Sequence, residues 1–312
     1  MSNDPATIPI DDRAAPRVPS GLRRRLLFKQ ATFGALAATF AGSGIGFASD
    51  AEAATDPSKL TDINILNFAL NLEYLEAEFY LRGATGRGLS GGDISGTGKL
   101  GTVSGGSKVN FSSPLYQQYA NEVANDELDH VRFLRAALGG QAVARPSIDL
   151  GTAFTTAARA AGVIGTSQTF NPFADEVSFL IAAFIFEDVG VTAYNGASTF
   201  IRNKDYLQAA AGILAVEAYH AGSVRTMLVM NGLTDAPNKI SALRASASAA
   251  VGGPGTGDDE GVTVNGVSNI VPTDKNSIAF ARTPDEVLNI VYLGGKNANY
   301  GFFPDRLNGV IR

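Results

Sequence analysis

Two stretches decide how this chain reads: Glu187-Asp-Val-Gly-Val-Thr-Ala-Tyr194 and, thirty residues further on, Glu217-Ala-Tyr-His220. Both fall inside long apolar runs with no Gly-Pro punctuation, which read as helices. Upstream the same pair occurs as Glu73-Tyr-Leu-Glu-Ala-Glu-Phe-Tyr80 and Glu127-Leu-Asp-His130. Each half of the chain therefore carries Glu-x6-Tyr on one helix and Glu-x-x-His on the next. Seven residues is almost two helical turns, so Glu and Tyr share a face, and three residues put Glu and His on adjacent turns. The chain has only 2 histidines, and both sit in this arrangement.

The first of these helices is expected from about Pro57 or Thr61 to Arg82, with Gly83 as its stop. Ile63, Leu66, Leu70, Glu73, Ala77 and Tyr80 line one of its faces. A carboxylate in the middle of an apolar stripe costs several kcal/mol unless it is paired or protonated, which gives Glu73 a physical reason to bind a cation. Glu78 lies off the stripe and reads as solvated. Glu76, one turn along from Glu73, reads either as a support for the ligands or as a rival ligand, and the spacing to Tyr80 favours Glu73.

A Glu from each of two helices plus Glu-x-x-His from each of the other two resembles the ferritin-like di-metal carboxylate proteins. The Tyr seven residues after the lone Glu is similar to bacterioferritin- and rubrerythrin-type sites. Over residues 57–312 the chain resembles the ferritin-like domain family that includes plant desiccation-related proteins. The resemblance implies an all-α, four-helix bundle with one long crossover. It implies metal ligands Glu73, Glu127, His130, Glu187, Glu217 and His220 around two Fe or Mn ions. In the resembled proteins the Glu of each Glu-x-x-His tends to bridge, which would make Glu127 and Glu217 bridging and Glu73 and Glu187 terminal. Tyr80 and Tyr194 would act in catalysis by bonding to ligands or supplying an electron, or would be core aromatics with the hydroxyl on a carboxylate. Four carboxylates balance the charge of two divalent ions, and carboxylates with imidazoles suit Fe or Mn.

At 312 residues and 45% hydrophobic, the chain can bury one substantial core. A net charge of −5 with no basic stripe gives no electrostatic case for nucleic acid. The absence of Cys excludes disulfides, thiolate metal sites and iron–sulfur clusters. Residues 1–53 read as an export signal: Arg24-Arg25-x-Leu27-Phe28-Lys29 resembles a twin-arginine motif, an apolar stretch runs from Ala31 to Ala48, and Ala51-Glu-Ala53 is a cleavage site. This predicts a periplasmic or secreted protein with no stable membrane insertion after cleavage.

Residues 83–112 form a Gly- and Ser-rich loop. Gly96-Thr-Gly-Lys99 inside it fails the phosphate-loop motif, since Asp93 and Leu100 stand at its required positions, and it reads as a surface crossover. Ser113-Pro114 caps a second helix to Leu138, with Val123, Glu127, His130 and Leu134 inward and Asp126 placed to orient a neighbouring ligand. Asp129 reads as solvent-facing. A connector over 141–169, with a short helix near Thr152–Ala161, supplies the crossover. The third helix is expected from Asn171-Pro172 to about Ile201 and the fourth from about Tyr206 to Met230.

The bundle is thus assigned to 57–232 and a C-terminal extension to 233–312. In the extension Asn265-Gly266 predicts a small hairpin, Thr283-Pro-Asp-Glu286 a capping box opening a short helix, and Asp258, Asp259 and Glu260 read as solvated charge. The apolar tail from Tyr300 must cover the bundle or a second copy of the chain in a homo-oligomer. Two functions follow as expectations. The first is oxidase- or peroxidase-type redox chemistry on oxygen or peroxide, or metal handling, in stress protection. The second is a non-enzymatic desiccation or stress protein whose metals are structural.

Overall fold

In the computed structural model, residues 60–253, 259–294 and 301–312 are described. The export signal and Tyr300 lie outside these residues. Four long helices form the bundle: α1 (Asp62–Thr85), α3 (Pro114–Leu138), α5 (Glu176–Ser198) and α6 (Lys204–Met230). α1 packs along α3, α5 packs along α6, and the two pairs meet where α1 faces α5. The connection from α3 to α5 holds α4 (Thr152–Ala160) and is the long crossover.

The helix ends follow local chemistry. Thr61 caps α1 in a reciprocal capping box with Asn64, and Ser113 with Pro114 opens α3. α1 does not stop at Gly83. It continues to Thr85 and ends at Gly86, which takes the left-handed conformation at φ 82°. Gly83 is helical, and its missing Cβ leaves room for the Phe179 ring. α5 starts later than Asn171-Pro172, because Asp175 supplies the stronger cap and accepts from the Ser178 amide at 2.7 Å. Asn171 instead closes a turn onto the Phe173 amide.

Phe173, Phe179, Phe154 and Phe186 surround Phe79 at centroid distances of 4.6–5.7 Å. This aromatic cluster anchors one end of the bundle, and α5 owes its apolar composition to it. By length and composition α5 could span a membrane, but it is mostly buried between its neighbours.

The long loop after α1 is more ordered than its composition suggests. It contains a helical turn, α2 (Gly91–Ile94), and a strand, β1 (Val103–Gly105), that pairs in parallel with β2 (Ile148–Leu150). Gly96-Thr-Gly-Lys99 bridges Thr97 to Val143 and pairs Lys99 with Asp305. These segments cover the outer face of α1 and correct the reading of Glu78. Its carboxylate is buried, and it accepts from Arg145 at 2.5 Å and Arg82 at 2.9 Å.

The extension contains a helix that the periodicity of its sequence does not announce, α7 (Asp235–Ala250), whose buried face is Ile240, Ser241, Arg244, Ala245, Ala247 and Ser248. The hairpin forms between β3 (Thr263–Val264) and β4 (Val267–Ser268), with Asn265 at φ 51° and Gly266 at φ 76° as its primed turn. α8 (Pro284–Val291) follows the Thr283–Glu286 capping box. Asp259 corrects another reading: it is buried, and it pairs with Arg244 and Arg282 and accepts from Ser241. Asp258 lies outside the described residues. Phe302 seats against Phe154 and Phe186 of the same chain at 4.9 and 5.0 Å.

Candidate metal centre

Four helices carry the candidate ligands inward because each Glu or His continues an apolar stripe. Glu73, Glu127, Glu187 and Glu217 are at most 1% exposed. Two groups of donor atoms, each within 4.8 Å of one another, could each hold a metal ion. One is Glu73, Glu127, His130 and Glu217; the other is Glu127, Glu187 and His220. Glu127 is common to both, and its two oxygens face different histidines: Oε2 is 3.4 Å from His130 Nδ1 and Oε1 is 3.2 Å from His220 Nδ1. Glu217 joins only the first group, although the resemblance assigned it a bridging role. Its Oε1 is 3.6 Å from His130 Nδ1.

Both histidines turn Nδ1 toward the carboxylates. His130 Nδ1 is 3.2 Å from Glu73, and His220 Nδ1 is 3.6 Å from Glu187. The tyrosines cross over: Tyr80 of α1 donates to Glu187 of α5, and Tyr194 of α5 donates to Glu73 of α1. Each terminal carboxylate therefore has one oxygen held by a hydroxyl and the other turned to the centre.

The donor set fits a pair of cations. Both oxygens of Glu127, both of Glu217, Glu187 Oε2 and His220 Nδ1 are buried without a well-aligned hydrogen-bond partner. A buried polar atom left unpaired costs roughly 1–3 kcal/mol, more when charged, so six such atoms converging on one space call for a ligand of opposite charge. Without metal the cluster keeps protons instead. Burial raises Glu73 to about 7 and Glu187 to about 8, against the opposing charges of His130 and His220. Burial works against charged histidines, but the facing carboxylates raise His130 to about 11 and His220 to about 9. Burial would also raise Glu127, yet the two facing histidines hold it down at about 2.

Glu76 is a fifth buried carboxylate here, and burial and then the charge of Glu127 push its proton affinity well up. It falls outside both donor groups. Gly190 makes room for Glu217 beside it: a Cβ there would stand 2.5 Å from Glu217 Oε2, and 3.4 Å from Glu76 Oε1. Asp126 reaches His220 Nε2 at 3.0 Å, whereas Asp129 stays exposed.

Two features were missed in the sequence. Tyr119, on the same α3 face as Val123 and Glu127, approaches Tyr80 and reaches the His220 carbonyl at 3.4 Å; the i, i+4, i+8 spacing was its signal. The second is a buried ion network one residue beyond Glu187. Asp188 accepts from Arg225 and Arg244, and Arg244 links it to Asp259, which in turn pairs with Arg282. No local motif marks it, because its members are scattered over five segments.

Comparison with known proteins agrees with this architecture. The family model described as ferritin-like domain matches residues 61–230. The chain is 32% identical over 273 residues to "Ferritin-like catalase Nec2" of Nesocodon mauritianus, covering 80% of this chain and 84% of that one. It is 32% identical over 248 residues to "Desiccation-related protein PCC13-62" of Craterostigma plantagineum, covering 73% and 76%. No solved structure gives a significant match.

Proposed function

The chain belongs to the ferritin-like domain family, and from that premise we propose that it binds two Fe or Mn ions and uses them to break down hydrogen peroxide outside the cytoplasm. The observation that carries this reading is the convergence of unpaired buried donor atoms from four helices. Peroxide as the substrate draws support from a relative named as a catalase, with 2 H2O2 giving O2 and 2 H2O. Export rests on the Arg24-Arg25 signal.

Glu73, Glu127, His130 and Glu217 would hold one ion, and Glu127, Glu187 and His220 the other. A bound pair of such ions supplies two one-electron redox changes, which match the two electrons that each peroxide gives or takes. The protein's own part is positioning. Glu127 ties the two positions to one side chain. Tyr80 and Tyr194 hold the outer oxygens of Glu187 and Glu73, which keeps the inner ones aimed. Phe79, Phe179 and their neighbours exclude water from that side and raise the strength of every charge interaction inside.

A second reading keeps the metals structural in a stress protein. It draws support from the relative named desiccation-related and from the ion network that already fastens the extension to the bundle. One experiment separates the two. The purified protein is loaded anaerobically with Fe(II) or Mn(II), given peroxide, and followed with an oxygen electrode and by electron-spin spectroscopy. The proposal expects two ions per chain, repeated oxygen release and a changed metal oxidation state. A fully loaded protein that evolves no oxygen and keeps its oxidation state, yet unfolds when stripped, would establish the structural reading.

A further inference from the structure

The two halves of the chain share one spacing of ligands around the centre. On α3 and α6, Glu127 corresponds to Glu217, His130 to His220 and Arg135 to Arg225. Other positions beside the ligands differ, as Leu128 and Asp129 do from Ala218 and Tyr219. Asp126, just before Glu127, has Val216 as its counterpart before Glu217.

The two imidazoles are unequally supported. Asp126 Oδ2 lies 3.0 Å from His220 Nε2, the nitrogen turned away from the centre. The ion-pair contacts of His130 all run through Nδ1, and Val216 offers no carboxylate at the sequence position that corresponds to Asp126. A carboxylate on the outer nitrogen keeps the proton on Nε2, leaves the Nδ1 lone pair facing the donor group, fixes the ring plane and makes the ligand more basic. His220 needs this more than His130 does, because its group has three donors where the other has four.

Building on the metal-centre reading above, we propose that Asp126 is a positioning residue for one of the two ion positions only, the one formed by Glu127, Glu187 and His220. The centre is therefore chemically unsymmetrical: its three-donor position depends on Asp126 for affinity, and its four-donor position does not. With the Asp126 side chain 41% exposed, its removal leaves the buried helix contacts in place.

Because the chain has only 2 histidines, each reports one position separately. The test uses the full chain with 15N-labelled histidine, stripped of metal and titrated with Zn(II), a diamagnetic probe, while the ring resonances are followed by NMR. Loss of such an outer partner generally costs about 10- to 100-fold in metal affinity, so Asp126→Ala should weaken the position reported by His220 by that factor. The His130 position should change by less than about twofold. Asp126→Asn keeps an oxygen that accepts from Nε2–H, so its loss should be smaller than that of Asp126→Ala. Equal weakening at both histidines, or no weakening at His220, would overturn the proposal and leave the metal centre standing. If Zn(II) shifts neither histidine in the unaltered protein, the metal-centre reading falls and this proposal with it.

Discussion

Tyr194 on α5 donates its hydroxyl to Glu73 on α1, a carboxylate 121 residues earlier, and Tyr80 on α1 returns the same bond to Glu187 on α5. Each half of the chain thus completes the ligand environment of the other. The seven-residue spacing of Glu and Tyr serves the opposite helix, not its own carboxylate.

Replacing either tyrosine by Phe removes a buried hydrogen bond to a ligand and leaves the ring in place. A bond of this kind to a charged group contributes about 1.5–3 kcal/mol, so Tyr80→Phe and Tyr194→Phe should each destabilise the protein by roughly that amount. Because each bond serves a different carboxylate, the double variant should lose close to the sum. Chemical denaturation of the single and double variants measures both quantities. An unchanged Tyr194→Phe protein would mean that the hydroxyl does not hold Glu73.

Glu73 and Glu76 lie one turn apart and are both buried, but only Glu73 belongs to a donor group. Glu73→Ala should lose at least one ion per chain, whereas Glu76→Ala should keep both. Metal analysis after dialysis decides between them. The reverse outcome would mean that the metal-bearing face of α1 is rotated by one turn from that described.

The pH dependence of the metal-free protein follows from the raised proton affinities at the centre. Glu73 moves from 4.5 to about 7 and Glu187 from 4.5 to about 8, while His220 moves from 6.5 to about 9, each raised in the folded state. The folded chain therefore holds more protons than the unfolded one between these limits, and its stability falls as pH rises. The histidine share is full below 6.5 and is lost as pH rises through about 9. Glu127 has the opposite sign and matters only below 4.5. Calorimetry should show a falling Tm of the metal-free protein from about pH 5 to about pH 9. With excess Mn(II) the trend should reverse over the neutral range, since the ligands must lose protons to bind. A metal-free Tm that climbs between pH 6 and pH 9 would contradict the proton assignments.

Arg244 lies at the junction of the extension and the bundle, with Asp188 at 2.7 Å, Asp259 at 2.8 Å and the Phe184 carbonyl at 2.6 Å. Arg244→Ala leaves two buried carboxylates short of a partner. Breaking a buried pair from one side costs about 3–5 kcal/mol, a loss readily read by urea unfolding. A change below about 1 kcal/mol would show that water or Arg282 replaces the guanidinium.

Export is tested at the other end of the chain. Mass spectrometry of the exported protein should find a first residue near Ala54, and replacing Arg24 and Arg25 by Lys should hold the precursor in the cytoplasm. Normal export of the Lys variant would rule out the twin-arginine reading.

The helical bundle and the inward carboxylates were legible in the sequence because both depend on local spacing. Glu-x6-Tyr and Glu-x-x-His place side chains on faces through helix geometry alone, and the apolar stripes around Glu73, Glu127, Glu187 and Glu217 mark those faces as internal. The same local logic located the Thr283 capping box and the Asn265-Gly266 turn. It failed for α7, whose buried face has Ile240 as its one large apolar side chain among Ala, Ser and Arg244, and so shows little apolar period.

By itself, then, the sequence determined which residues face inward together and that their chemistry suits a pair of cations. Only the tertiary structure decided which helix each side chain serves: that Tyr80 holds Glu187, that Asp126 supports His220 while His130 makes its ion pairs through Nδ1 alone among the described residues, and that Glu78 and Asp259 are buried with arginines. The reason is physical. Position on a helical face follows from rotation per residue over a few neighbours, whereas the burial of a charge and the identity of its partner depend on segments 15 to 121 residues away that meet only when the chain closes.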